Sequence, residues 1–235
     1  MPLTIHCLQH VPFEGPAAIA RWAEDRGHRL RCTPLYEGTP PPVPAPGDWL
    51  LVMGGPMGVA DEARYPWLVE EKRTIAAAVE AGCTVVGVCL GAQLIAEVMG
   101  ARVYRNHEPE IGWFPVRRVA APDGDPLAAV LPESFTAFHW HGDTFDLPAG
   151  AVHLLESEAC AHQAFAWEGR VLALQCHLET TPEAARALVE HCGDELVPGR
   201  PWVQDAGAIL AGSDGCGRLN QILARLLDVL PGGRG

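Results

Sequence analysis

The chain lacks any Cys-x-x-Cys pair, although it holds eight cysteines. That absence argues against a zinc ribbon or a thioredoxin-like redox site. In a reducing compartment each cysteine is by default a small buried hydrophobe with a free thiol. No G-x-x-x-x-G-K-[ST] loop occurs, so no Walker-type site is present to activate an acceptor molecule. No apolar run is long enough to cross a bilayer, and the opening Met1-Pro-Leu-Thr-Ile-His-Cys7 has neither a basic n-region nor a long apolar h-region. The expectation is a soluble, cytoplasmic protein with no membrane partner. Positive charge is scarce: 17 Lys and Arg stand against 29 Asp and Glu, a net charge of −12. Binding to a phosphate backbone needs Lys and Arg, so nucleic acid is not an expected partner. No internal repeat and no linker divides the chain.

What is present suits a packed core: 48% of residues are hydrophobic and 20% charged. A length of 235 residues fits one large α/β domain. Strand-like and helix-like segments alternate through the first half. Leu3–Gln9, Arg29–Leu35, Asp48–Met53 and Thr84–Val88 read as strands. Gly15–Arg26, Tyr65–Ala81 and Gly91–Met99 read as helices, and the proline-rich stretch 38–47 must be a loop. Strands alternating with helices imply parallel pairing, with apolar strands buried on both faces. From Ile111 the pattern changes. Ile111–Val119, Phe135–His141, Val152–Glu156, His162–Trp167 and Val171–Cys176 read as strands with short connections, predicted to be antiparallel additions. Pro182–Cys192 reads as a helix, and residues 194–213 give no clear pattern. Cys216–Leu230 is amphipathic, and its leucine-rich stripe reads first as core packing, with a homodimer contact as the alternative.

One cysteine stands apart. Gly87-Val-Cys89-Leu-Gly91 has the form of a nucleophile elbow, following a strand rich in β-branched residues and preceding a helix. A Cβ at either flanking position would collide with the neighbouring strand or helix. The turn sets the sulfur at a helix N-terminus, where unpaired N–H groups favour a thiolate, and the N–H of Leu90 would face an oxyanion. A nucleophile also needs a base, an orienting group and a second oxyanion donor. Among ten histidines the best base is His177, in Gln175-Cys-His-Leu-Glu179. Its i, i+2 spacing from Glu179 puts both side chains on one side of an extended backbone. Gly54-Gly55-Pro56, after the third strand, offers backbone that can approach a ligand closely.

Together, Gly-Val-Cys-Leu-Gly-Ala-Gln (87–93), Met-Gly-Gly-Pro-Met (53–57) and Gln-Cys-His-Leu-Glu (175–179) resemble the signature segments of the class I, triad-type glutamine amidotransferases. The resemblance covers roughly residues 48–180 and extends to free-standing relatives labelled GMP-synthase-like. It implies a three-layer α/β sandwich, flavodoxin-like, with a mostly parallel central sheet plus antiparallel additions. It implies a domain over 1–193 and a C-terminal extension, 194–235, packing on it. It also implies roles: Cys89, His177 and Glu179 as the catalytic triad; Gly55 and Leu90 as the oxyanion hole; Gly54 and Gln93 in substrate binding. Trp140-His141-Gly142-Asp143 resembles the family's Ser-His-Gly-Asp segment, which implies substrate contacts for Trp140 and His141, with a tryptophan where the family has a small residue. The chain departs from the family again at Cys176, usually aromatic, and Leu178, usually proline; either change could alter the backbone that aims Glu179. His139, His141 and Asp143 also suggest a metal site, but no third ligand is firmly placed, so neither a metal nor a cofactor is expected.

The function so implied is cysteine-dependent hydrolysis of the side-chain amide of glutamine, or of a small γ-glutamyl compound, through a glutamyl-thioester. The alternatives are a glutaminase subunit feeding ammonia to a separate synthase, and a non-catalytic relative that binds a small molecule or partner through the same fold.

Overall fold

Strands without polar faces belong in the middle of a sheet covered on both sides, and that is where this chain puts them. In the computed structural model, which describes residues 2–120 and 124–234, the parallel half is built from β1 (Thr4–Gln9), β2 (Arg29–Pro34), β3 (Trp49–Val52), β4 (Thr84–Val88) and, from much later in the chain, β9 (Val171–Leu174). Every residue of β3, β4 and β9 is buried. β2 lies at the sheet edge and exposes Arg29 and Arg31, charges that blunt an open edge. The remaining strands are β5 (Val103–Arg118), β6 (Ser134–Phe145), β7 (Val152–Ser157) and β8 (Ala164–Trp167). The order is β2-β1-β3-β4-β9-β8-β7-β5-β6, nine strands among the described residues, parallel as far as β9 and antiparallel beyond it.

Helices cover both faces. α2 (Trp67–Glu80) and α3 (Leu90–Val98) bury Leu68, Ile75, Leu94 and Ile95 against one side of the sheet. The other side is covered by α1 (Ala17–Asp25), α4 (Pro126–Val130), α5 (Pro182–Cys192), α6 (Ala206–Gly212) and α7 (Cys216–Val229). This is a three-layer α/β sandwich. The α7 stripe of Leu219, Ile222, Leu223, Leu226 and Leu227 is buried within the chain, in the same core as Ile19 and Trp22 of α1. Among the described residues no helix is long and apolar enough to cross a membrane.

The structure departs from the sequence pattern in three places. β5 begins at Val103, not Ile111, because residues 103–110 are polar and show no apolar alternation; they pair with β6 across an irregularity between Arg105 and Glu110. The short helix α4 had no periodicity to reveal it, though Asp125 caps it through Leu127 N and Ala128 N with Pro126 in its first turn. Residues 194–213 hold a 3₁₀ turn, Gly193–Glu195, and α6, and the irregular stretch between them exchanges backbone hydrogen bonds with Ile111 of β5.

The tightest packing is at the β4–α3 junction. A Cβ on Gly87 would lie 2.6 Å from the Gly91 carbonyl, and one on Gly91 would collide with the Val52 carbonyl of β3. Gly91→Ala is therefore expected to cost about 3 kcal/mol or more in urea unfolding, since backbone must move to admit the methyl. Gly217→Ala, on the exposed side of α7 with nothing within 4 Å, is expected to stabilise by up to about 1 kcal/mol.

Candidate active site

Cys89 links β4 to α3 with φ 51° and ψ −109°, a conformation side-chain-bearing residues rarely adopt. Its backbone is held on both sides: Cys89 N donates to Leu174 O at 2.7 Å, and Gly91 N donates to Met53 O at 3.1 Å. The thiol is buried, donates to the Trp140 carbonyl at 3.5 Å and receives the Gln175 amide at 3.7 Å. Burial pushes the Cys89 thiol up; His177 and the Leu90 N–H pull it down, and Glu14 adds to the rise.

His177 follows β9, which neighbours β4, so the sheet order itself brings two distant segments together. His177 N donates to Phe138 O at 2.8 Å, fixing the backbone, and Nδ1 donates to Glu179 Oε1 at 2.8 Å. That bond leaves Nε2, buried and without a conventional partner, as the nitrogen that meets Cys89. Burial pulls the imidazole's pKa down, but the Glu179 carboxylate and Cys89 outweigh it and hold it well above its ordinary value. Cys176 and Leu178, the two departures from the family pattern, are both fully buried, and the His177–Glu179 bond forms despite them.

The other residues singled out from sequence fall into place unevenly. Gly54, Gly55 and Leu90 sit together: a Cβ on Gly54 would lie 3.5 Å from both Cys89 Cβ and His177 Cε1, and one on Gly55 would lie 3.3 Å from Leu90 Cδ2. Gln93 lines the pocket and donates to Gln175 Oε1 at 3.1 Å. Trp140 also lines it. His141 reaches its wall, but both ring nitrogens are engaged elsewhere, one by Asp143 O at 3.2 Å and the other facing Glu110 and Gln163. Asp143 does not join His139 and His141; its carboxylate lies 3.4 Å from Arg105.

Several groups escaped the sequence reading. His10, at the end of β1, is wholly buried, with Nδ1 at 2.9 Å from Gly54 O and Nε2 at 2.7 Å from Glu71 of α2. Burial lowers its pKa, but the Glu71 carboxylate more than offsets this, and the protonated ring can donate to both partners and pin the Gly54 loop. Glu14 is half-buried as a residue, but its carboxyl end is enclosed against Gly54, where any Cβ would collide with it. Burial raises that carboxyl to about 7, against the pull of His177 and His10. Glu195, from the segment with no readable pattern, joins the same pocket, of about 130 Å³. A histidine after a strand and a glutamate in a Phe-Glu-Gly loop carry no periodic signal, so only the fold identifies them.

The family model for class I glutamine amidotransferases matches residues 18–193. A glutamine amidotransferase-like protein, YfeJ, of Salmonella typhimurium is 35% identical over 234 residues, covering 97% of each chain. The GMP synthase (glutamine-hydrolysing) of Thermomicrobium roseum is 34% identical over 134 residues, which is 55% of this chain but 23% of that protein. Among solved structures, a glutamine amidotransferase of Thermotoga maritima superposes with a TM-score of 0.88 at 27% identity, covering 98% of both chains. Another, from Methylobacillus flagellatus, gives 0.89 at 29% identity, covering 99% of this chain and 94% of that one.

The Glu14 charge exists only above its raised pKa of about 7, and there it opposes ionisation of Cys89. Replacing Glu14 by Gln should move the midpoint of Cys89 alkylation by iodoacetamide to lower pH, by about half a unit or more. The two proteins should differ least on the acid side, where Glu14 is already neutral. An unmoved midpoint would show that the Glu14 charge does not reach the sulfur.

Proposed function

Because the chain belongs to the class I glutamine amidotransferase family, we propose that it hydrolyses the side-chain amide of glutamine, or of a small γ-glutamyl compound, with Cys89 as the nucleophile. The observation that carries this reading is the meeting, out of solvent, of a strained elbow cysteine, an imidazole with one free nitrogen turned to it, and a carboxylate holding the other nitrogen. The Cys89 thiolate adds to the amide carbon, and the oxyanion is met by the N–H groups of Leu90 and Gly55. The C–N bond then breaks as His177 Nε2 delivers its proton to the leaving amine, giving a glutamyl-thioester. His177 takes a proton from water, the hydroxide adds to the thioester, and glutamate and the Cys89 thiolate leave. Glu179 holds the imidazole throughout and stabilises its charged form.

The pocket's charges suit the other end of the substrate. Glu14, Asp143 and Glu195 offer carboxylates to an α-ammonium, and Arg105 offers a guanidinium to an α-carboxylate. Gln93 and Trp140 complete the wall. In this reading residues 1–193 carry the chemistry and 194–235 form an extension of the same domain.

Purified protein should release glutamate from glutamine or a γ-glutamyl amide, and an electrophilic glutamine analogue should label Cys89, seen by peptide mass. Cys89→Ser should lower kcat by about a thousandfold or more. Glu179→Gln should lower kcat by roughly 10- to 1000-fold with little change in KM. A second reading, delivery of ammonia to a separate synthase, is favoured by the similarity to the glutamine-hydrolysing GMP synthase. It predicts normal labelling at Cys89 with poor turnover in isolation. The absence of both labelling and turnover would overturn the catalytic reading altogether and leave a binding relative.

A further inference from the structure

A buried knot of lone pairs lies behind the pocket wall, and the proposed chemistry does not use it. Glu110 of β5 faces His141 directly across the antiparallel ladder, and His139, two residues away on β6, projects on the same side. All three side chains are completely buried. Glu110 Oε2 lies 3.4 Å from His139 Nδ1 and 3.3 Å from His141 Nε2, and one ligand atom from each residue lies within 4.8 Å of the others.

The far side of each ring decides which nitrogens carry hydrogen. His139 Nε2 lies 3.4 Å from the Phe114 carbonyl, and His141 Nδ1 lies 3.2 Å from the Asp143 carbonyl. A carbonyl only accepts, and so does an ionised carboxylate, so each neutral ring has one N–H for two acceptors; with the N–H groups on the outer nitrogens both backbone carbonyls are satisfied. In neutral rings the inner nitrogens are then lone pairs turned to a carboxylate. Ser157 Oγ and Gln163 Nε2 donate to Glu110 Oε2 at 2.9 and 2.6 Å, and Gln163 Nε2 also lies 3.3 Å from His141 Nε2, but among the described residues no donor reaches His139 Nδ1 or Glu110 Oε1. Such an arrangement in a dry interior is costly unless a positive charge sits between the three. Histidine rings fixed from behind by backbone carbonyls are the usual setting of metal ligands.

The spacing also suits a metal. Ligands held tetrahedrally at about 2.0–2.1 Å from a zinc ion are roughly 3.3–3.4 Å apart. The two Glu110–His distances fall in that interval. A fourth donor is at hand. The Gln163 carboxamide lies 2.6 Å from Glu110 Oε2 and 3.3 Å from His141 Nε2, and its Oε1 is buried without a partner. Rotation of that amide would turn the oxygen inward. His139 Nδ1 and Glu110 Oε1 are likewise buried and unpartnered. The geometry points to a structural site for a borderline divalent cation, Zn²⁺ above all, held by Glu110, His139 and His141 with Gln163 completing the shell. The ion would tie β5 to β6 next to Trp140, whose carbonyl receives the Cys89 thiol. It sits behind the wall and takes no part in amide hydrolysis, so the proposal stands or falls apart from the catalytic reading.

The test uses the full chain with Cys89→Ser, so that the pocket cysteine cannot itself bind metal. After chelator stripping, titration with ZnCl₂ in a calorimeter should show about one equivalent bound per chain and a rise in Tm. Co²⁺ in its place should give the visible bands of a tetrahedral nitrogen and oxygen site, without thiolate charge transfer. Glu110→Gln and His139→Gln should each weaken Zn²⁺ binding by about 100-fold or more. Should either variant fail to fold, the parent protein decides the matter. If it binds no stoichiometric Zn²⁺, if its Tm is unmoved by Zn²⁺, or if the Co²⁺ spectrum shows thiolate ligation, the site is disproved. Equal binding by folded Glu110→Gln would disprove it as well.

Discussion

The backbone of Cys89 is the constraint around which the rest of the structure is arranged. Its conformation, φ 51° and ψ −109°, carries a strain of about 1–3 kcal/mol for a residue with a side chain. It persists because its surroundings leave no relaxed alternative. β3 and α3 touch so closely at Gly91 that no methyl fits, and the N–H of Cys89 is tied to the end of β9. This last bond, to Leu174 O, also sets the register between the elbow and the segment that follows β9. Once β9 lies beside β4, Gln175, His177 and Glu179 have to emerge next to the sulfur. One close-packed junction therefore both strains the cysteine and delivers its partners.

Electrostatics at the site is a contest between carboxylates. Glu179 raises the His177 pKa through a direct bond and so favours the charged imidazole. Glu14, above its own raised pKa, also favours that charge but opposes ionisation of the thiol. Burial disfavours a lone charge on either partner. The charged pair of thiolate and imidazolium is thus stabilised as a pair or not at all. The Leu90 N–H and the helix N-terminus behind it act on the sulfur alone.

Much of this was legible from the residue pattern, for a physical reason. Apolar runs such as Trp49–Val52 and Thr84–Val88 must be buried on both faces, and helices such as Pro182–Cys192 advertise their proline start. The elbow announces itself because its glycines are sterically obligatory. Residues chosen by tertiary partners were not legible. Glu110 reads as an ordinary polar residue until β5 and β6 pair, when it proves to be the group facing His139 and His141, a place the sequence pattern offered to Asp143. His10 likewise has no meaning until α2 brings Glu71 to it.

The C-terminal segment shows how a part that supplies none of the proposed reacting groups still bears on the proposed chemistry. Proline, the family's usual residue at 178, would stiffen the backbone between His177 and Glu179 through its fixed φ. Leu178 does not, so the segment needs another restraint. It comes from α7, where the Asn220 amide donates to the Leu178 carbonyl at 2.9 Å and the Thr180 carbonyl at 3.0 Å. Ala18 N adds a third tie, to the Glu179 carbonyl at 3.0 Å. Two of these bonds come from a single side chain, so the amide fixes the spacing of two carbonyls that flank Glu179. The aim of the carboxylate then depends on α7 staying docked, and α7 is docked by its leucine stripe. An apolar contact on one face of the sandwich is in this way coupled to the orientation of the His177 ring on which proton transfer would rest.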